Sequence, residues 1–252
     1  MSPVRSPAWL TRFIEHVDEV GKGDTRRLDR LPDGRTLLIF RAHDAGHGDL
    51  TLTGPRTRAM FKASSGVAAV IVRFKPGWSR ALFGVAASEL TDRYVSLDDA
   101  WGTQVDGLCE ELVAARGATE VVSRLSDAFA RRARDASESM SASLARRAVR
   151  LLENEEDRVD RVAARLGVTA RHLRRAFVES IGVGPKEYAR SIRLHRALRR
   201  AETSSDWARI ATDTGYYDQA HLISEFRQLI GLTPVEYVNA MSGDRNGVAA
   251  CR

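Results

Sequence analysis

Cysteine is scarce in this 252-residue chain: Cys109 and Cys251 are too few and too far apart for a disulfide framework. Both read as free thiols in a reducing compartment. Long hydrophobic runs are missing as well. No stretch of about 18 apolar residues occurs, which excludes a spanning helix. The opening MSPVRSPAWLTRFIEH holds no apolar segment long enough for a secretory signal, so a cytoplasmic protein with no membrane partner is expected. Disorder is excluded by what is present, because 43% hydrophobic residues give two ordinary domains a core each.

Lysine is the other scarcity. Lys186 is the only one after residue 140, so the positive charge there is almost all arginine. Residues 1–140 carry 20 basic against 19 acidic groups, and residues 141–252 carry 19 against 14. Nearly all of the net +6 therefore sits in the second part. Arginine forks suit phosphate oxygens and guanine edges. A GC-rich coding bias would also enrich arginine, which dominates the first half too.

The first part reads as mixed strand and helix. RTLLIFR (35–41), DLTLT (49–53) and VAAVIVRF (67–74) are short apolar or alternating runs bounded by Gly and Pro turn signals, as strands are. Beyond Trp101, VDGLCEELVAARG and EVVSRLSDAFARRARD place apolar residues every three or four positions, the helical period. This amphipathic pair suits either a dimer seam or packing on the domain's own sheet. The polar stretch DASESMSAS (135–143) is the linker candidate, although it also suits extension of a flanking helix. Downstream every segment looks helical. Asp157 with Asp160 predicts one helix start, and Thr233, Pro234 and Glu236 predict another as a capping box.

The second part repeats itself. Ala163 and Gly167 recur 48 residues on as Ala211 and Gly215; His172, Leu173, Phe177, Ile181, Gly182, Pro185, Glu187 and Tyr188 recur 49 residues on as His221, Leu222, Phe226, Ile230, Gly231, Pro234, Glu236 and Tyr237. The offset changes by one inside a turn, where an inserted residue is easiest to absorb. Each copy has a short helix with an inward Ala, a Gly turn, an N-cap (Thr169 or Asp218) and a second helix of about ten residues. Two helix-turn-helix units joined by a helix over 185–201 are predicted.

A turn of about 100° per residue separates the faces of each second helix. In the first copy Leu173 and Phe177 face inward, while Arg171, Arg175 and Val178 lie opposite with Arg174 on the flank. In the second, Leu222 and Phe226 face inward and Ala220, Ser224 and Arg227 face out. Arginine reads guanine O6 and N7, each good bidentate contact contributing roughly 1–3 kcal/mol of discrimination. Gln219 suits adenine, Ala220 a thymine methyl, and Ser224 or His221 a base or phosphate. Copy one is expected to carry most base discrimination, copy two mainly to position.

Residues from about 144 to 240 resemble the DNA-binding domain of the AraC/XylS family of bacterial transcription regulators. The likeness rests on VAARLGVTARHLRRAFVESIGVGPKEYARSIRLHRAL and IATDTGYYDQAHLISEFRQLIGLTPVEY, including Gly215-Tyr216, the His-Leu pair, Phe226 and the Thr-Pro-x-x-Tyr ending. It implies two recognition helices entering successive major-groove faces on one side of a duplex, with RNA polymerase as a further partner. The DNA-binding residues carried over are Ala170, Arg171, His172, Arg174, Arg175, Gln219, Ala220, His221, Ser224 and Arg227. Ser224 departs from the family, where many members have a longer polar side chain. The first part, through LPDGRTLLIFR, GPRTR, RFKPGWSRALFG and ASELTDRYVSLDDAWG, resembles an uncharacterised domain found ahead of this region. That likeness implies a cupin-like β core and no known ligand.

The expectation is an α+β chain: a mixed β (cupin-like) and helical domain at 1–134 for sensing or dimerisation, a linker at 135–143, an all-α double helix-turn-helix at 144–241, and a flexible tail at 242–252. The expected partners are promoter or operator DNA, a small-molecule effector and a second copy of the chain. No metal, cofactor or enzymatic activity is expected. His43 and His47 have a metal-ligand spacing but lie in a Gly-rich loop without a third ligand nearby. Cys109 precedes two acids that would raise its pKa, and the segment from Gly21 to Thr25 lacks the spacing of a phosphate loop. Trp78, Phe83, Tyr94 and Trp101 suit a pocket with Arg73 or Arg80 as anion partner, but suit core packing better. The rival reading is an enzyme or small-molecule-binding protein in the first domain, with the helical half as its DNA tether.

Overall fold

The computed structural model describes residues 11–23, 27–43, 46–63, 66–102, 104–135, 139–154 and 158–247. In chain order the first elements are β1 (Ile14–Val20), β2 (Arg27–Arg30), β3 (Leu37–Ala42), β4 (Gly48–Thr53), β5 (Met60–Ala63) and β6 (Ala68–Phe74). Next come α1 (Ser79–Phe83), α2 (Ala87–Leu90), β7 (Tyr94–Ser96), α3 (Leu97–Trp101), α4 (Gln104–Val113) and α5 (Ala118–Asp135). The remainder is helical: α6 (Met140–Asn154), α7 (Val159–Arg165), α8 (Ala170–Ile181), α9 (Pro185–Ala201), α10 (Trp207–Asp213), α11 (Gln219–Ile230) and α12 (Pro234–Gly247). An α+β chain results, its β-rich part followed by helix-turn-helix elements.

Two compact units divide the chain, and they do not follow sequence order. One contains Met1–Asp24, Gly34–Pro55 and Ser65–Pro185; the other contains Thr25–Asp33, Arg56–Ser64 and Lys186–Arg252. Of the stretch expected as a linker, 135–143, the described residues Asp135 and Ser139–Ser143 fall inside the first unit. Residues 136–138 of it lie outside the described residues, and Met140–Ser143 open α6.

The first unit is built on a five-stranded antiparallel sheet of order β1-β6-β3-β4-β7. Leu38 stands opposite Val72 and Leu52, and Phe40 opposite Val70 and Leu50, so one face presents a continuous apolar surface. The apolar stripes of α4 and α5 close over that face through Leu108, Leu112, Val122, Leu125 and Phe129. The helix pair therefore spends its amphipathic face on its own sheet. Phe83, Trp101 and Phe129 pack ring against ring in this core, with Phe129 edge-on to both others, and Trp78 is buried beside Phe13. Tyr94 is 47% exposed instead. Cys109 is partly buried against the same core.

The three strands read from sequence appear as β3, β4 and β6. Strand β1 was hidden by its burial pattern: Ile14, Val17 and Val20 are buried at a spacing of three, which imitates a helix, because a register shift between Ile14 and His16 breaks the alternation and Val20 is buried on the face opposite Val17. Strands β2 and β5 are four residues each, pair only with one another, and belong to the second unit.

Candidate nucleic-acid interface

Both repeat copies fold by the same local rules. In the first, α7 stops at Gly167, whose φ of +69° is open to glycine and strained for other residues. Thr169 then starts α8, its Oγ1 accepting the His172 N–H at 3.2 Å. In the second, α10 stops before Gly215 (φ +82°), and Asp218 starts α11 by accepting the His221 N–H at 2.7 Å. Each second helix is 12 residues long and ends at a left-handed glycine, Gly182 or Gly231. The small Ala163 and Ala211 are buried in their copies, as are Leu173, Phe177, Leu222 and Phe226. The start predicted at Asp157 lies outside the described residues; the helix there is preceded by Arg158, which provides no side-chain cap. The capping box at α12 forms in full: Glu236 accepts the Thr233 N–H at 2.7 Å and Thr233 accepts the Glu236 N–H at 3.2 Å. The Thr233 N–H first, and then the Thr233 hydroxyl, hold the Glu236 carboxyl below its usual range.

With the inner stripes buried, the outer faces are open. Ala170, Arg171, His172, Arg174 and Arg175 are exposed on α8; Gln219, Ala220, His221, Ser224 and Arg227 are exposed on α11. Within the first unit, α8 thus gathers three guanidiniums and an imidazole over its first two turns, and Val178 is half-buried at the end of that face. The face of α11 is largely neutral, with Arg227 its one cation. His221 is partly committed, because its Nδ1 accepts the Tyr217 N–H at 3.3 Å and its ring stands edge-on to Tyr216.

Each copy is fixed in its unit differently. In the first unit, Thr91 donates its hydroxyl to the Gly182 carbonyl at 2.7 Å, and a Cβ on Gly182 would come within 2.8 Å of the Ala87 carbonyl and Pro55. On α6, Arg146 donates to the Gly77 carbonyl at 2.9 Å and lies 3.9 Å over the Trp78 ring. Burial, then the neighbouring Arg12 and Arg150 charges, lowers the Arg146 guanidinium to about 10.

The second unit uses an ionic lock that sequence reasoning missed. Glu225 on α11 is 6% exposed, and its Oε1 accepts from Arg190 Nε at 2.8 Å and Arg193 Nη2 at 2.9 Å, both on α9. Arg190 also donates to Gln228, and Arg193 stacks 5.3 Å from the Tyr216 ring. Burial first, then the Glu225 charge, pushes the Tyr216 phenol up. The signal was present: Glu225 sits three residues after Leu222, on the inward stripe, where an acid requires a buried partner.

Elsewhere, Arg41 and His43 both bond Asp49, with Arg41 Nη2 also 2.8 Å from Thr51. Among the described residues no group of three or more His, Cys, Asp or Glu side chains gathers as a metal site, and no helix is long and apolar enough to cross a membrane.

Residues 162–240 match a helix-turn-helix domain family, and residues 4–96 match a domain of unknown function. Among curated proteins none matches the chain. The fold also has a distant likeness to ToxT from Vibrio cholerae, at 13% identity and a TM-score of 0.45, covering 89% of this chain and 97% of ToxT. ToxT bound to (E)-4-(8-methylnaphthalen-1-yl)but-3-enoic acid gives 13% identity and 0.44, over 88% and 96% of the two chains. Unsaturated fatty acid bound ToxT from strain SCE256 gives 13% and 0.40, over 89% and 94%.

Proposed function

We propose that this chain, whose residues 162–240 are an AraC-type helix-turn-helix domain behind an N-terminal domain of unknown function, is a sequence-specific regulator of transcription that enters the major groove with α8 and α11. The observation that carries the reading is the exposed arginine face of α8 set against its buried Leu173 and Phe177 stripe. A helix of major-groove width with guanidiniums outward can satisfy guanine O6 and N7 in pairs, which simple attraction to phosphate does not require. Helix α11 adds Gln219, Ala220, His221, Ser224 and Arg227, a set better suited to adenine, thymine and phosphate.

Phosphate contacts supply affinity that falls with salt, while base contacts supply choice. Promoter or operator DNA is the partner, RNA polymerase the second partner at the promoter. The sheet-bearing unit is the place for control by a small-molecule effector or a second copy of the chain. A duplex enriched by the full chain from a random pool tests the reading. Arg171→Ala and Arg175→Ala should each weaken binding to that duplex about tenfold to a hundredfold and relax preference at one guanine. Equal losses on every sequence would contradict base readout.

A further inference from the structure

Resting on the DNA-binding reading above, we propose that the β2–β5 ribbon is a third DNA-contacting element, a basic strand pair that grips the phosphate backbone beside α11. The ribbon comes from the first quarter of the sequence, yet it is part of the second unit. Ala59 donates its N–H to the Leu229 carbonyl at 2.7 Å, meeting a carbonyl of the last turn of α11 that has no partner within its helix. Phe61 lies 6.3 Å from Tyr237 of α12, and Leu31, Ala59 and Phe61 join the core formed by Leu222, Phe226, Leu229 and Tyr237. His195 of α9 is 2.8 Å from the Pro32 carbonyl. These contacts hold the ribbon to the C-terminal end of the second recognition helix.

Charge gives the ribbon a purpose. Residues 186–247 carry nine basic against eight acidic groups, too balanced for a helix pair that must approach a polyanion. The ribbon segments shift that balance: residues 25–33 hold three Arg and two Asp, and residues 56–64 hold Arg56, Arg58 and Lys62 with no acid. Most of the second unit's excess positive charge up to residue 247 is therefore on the ribbon. Part of it is used internally, since Arg30 is buried 3.3 Å from Asp33. Arg58 and Lys62 are exposed and make no ion pair with any described residue. Two such cations, held at the end of a recognition helix, fit phosphates flanking the groove and fix position without reading sequence.

The test is the salt dependence of full-chain binding, measured on the enriched duplex and on the random pool. Arg58→Ala with Lys62→Ala should lower the slope of log K against log salt by about 1.8, at roughly 0.9 per phosphate contact, with the same fold-loss on both probes. The charge-keeping pair Arg58→Lys with Lys62→Arg should retain the wild-type slope. If the wild-type chain binds and the alanine pair leaves the slope unchanged, the ribbon proposal is overturned alone. If the wild-type chain binds neither probe at low salt, the DNA reading is overturned and the ribbon with it.

Discussion

The two helix-turn-helix copies share a backbone plan and ten identical residues, and differ in how each is anchored and in what its outer face presents. Position 176 in the first copy and position 225 in the second are equivalent by the 49-residue offset; one is a buried Ala, the other a buried Glu held by Arg190 and Arg193. The glycine that ends each second helix is crowded in the first copy and open in the second. The outer face is arginine-rich on α8 and mostly neutral on α11. What the duplication retained is what any such corner needs: left-handed glycines, N-caps and an inward aromatic. What it released is how each copy is held and what it presents to solvent.

The largest expected effect breaks the equivalence of the inner positions. Ala176→Glu would bury a carboxylate in a site whose copy-two counterpart needs two guanidiniums, and should destabilise the chain by about 4 kcal/mol or prevent folding. Glu225→Ala, which leaves Arg190 and Arg193 without their acceptor, should cost about 2–3 kcal/mol, less than a fully buried pair because both arginine side chains are about a third exposed. Denaturant unfolding of the full chain measures both. Comparable small losses from the two substitutions would erase the distinction between an apolar and an ionic anchor.

The terminal glycines sharpen the same contrast. Gly182→Ala meets a positive φ of +88° and a Cβ within 2.8 Å of Pro55 and the Ala87 carbonyl, and should cost about 3 kcal/mol. Gly231→Ala meets only the φ of +84°, with nothing within 4 Å, and should cost about 1 kcal/mol. Smallest and most alike are the N-caps: Thr169→Ala and Asp218→Ala should each lower stability by about 1 kcal/mol. Acid should weaken the start of α12 as well. Glu236 has a lowered folded-state pKa, so its contribution is fully present above the ordinary carboxylate range and is lost as pH falls from there through the lowered folded-state value, an effect a pH titration of the capping amides would follow.

How much was legible follows from which rules are local. Gly167, Thr169, Gly215, Asp218 and the Thr233–Glu236 box are decided by neighbours within a few residues, and each appears where its residue type predicts. The burial of Leu173, Phe177, Leu222 and Phe226 follows from helical period alone, so the candidate DNA-facing residues could be picked out as the complement of that stripe. The ribbon could not be read this way. Four-residue strands with RLDR and MFKA have no period to detect, and their place beside α11 depends on a partner more than 150 residues distant. Glu225 is legible in part: an acid on an apolar stripe requires a buried partner, but helical period alone does not name Arg190 and Arg193, which lie on a different helix.

Base selection is proposed to lie with the arginines on α8. It is tested most directly by a double-mutant cycle on the enriched duplex, combining Arg175→Ala with replacement of each guanine in turn and measuring binding at one fixed salt concentration. Wild-type binding should fall about tenfold or more at one particular guanine, and Arg175→Ala should abolish this penalty there while keeping it elsewhere. Additive losses at every guanine, with no position coupled to Arg175, would contradict it.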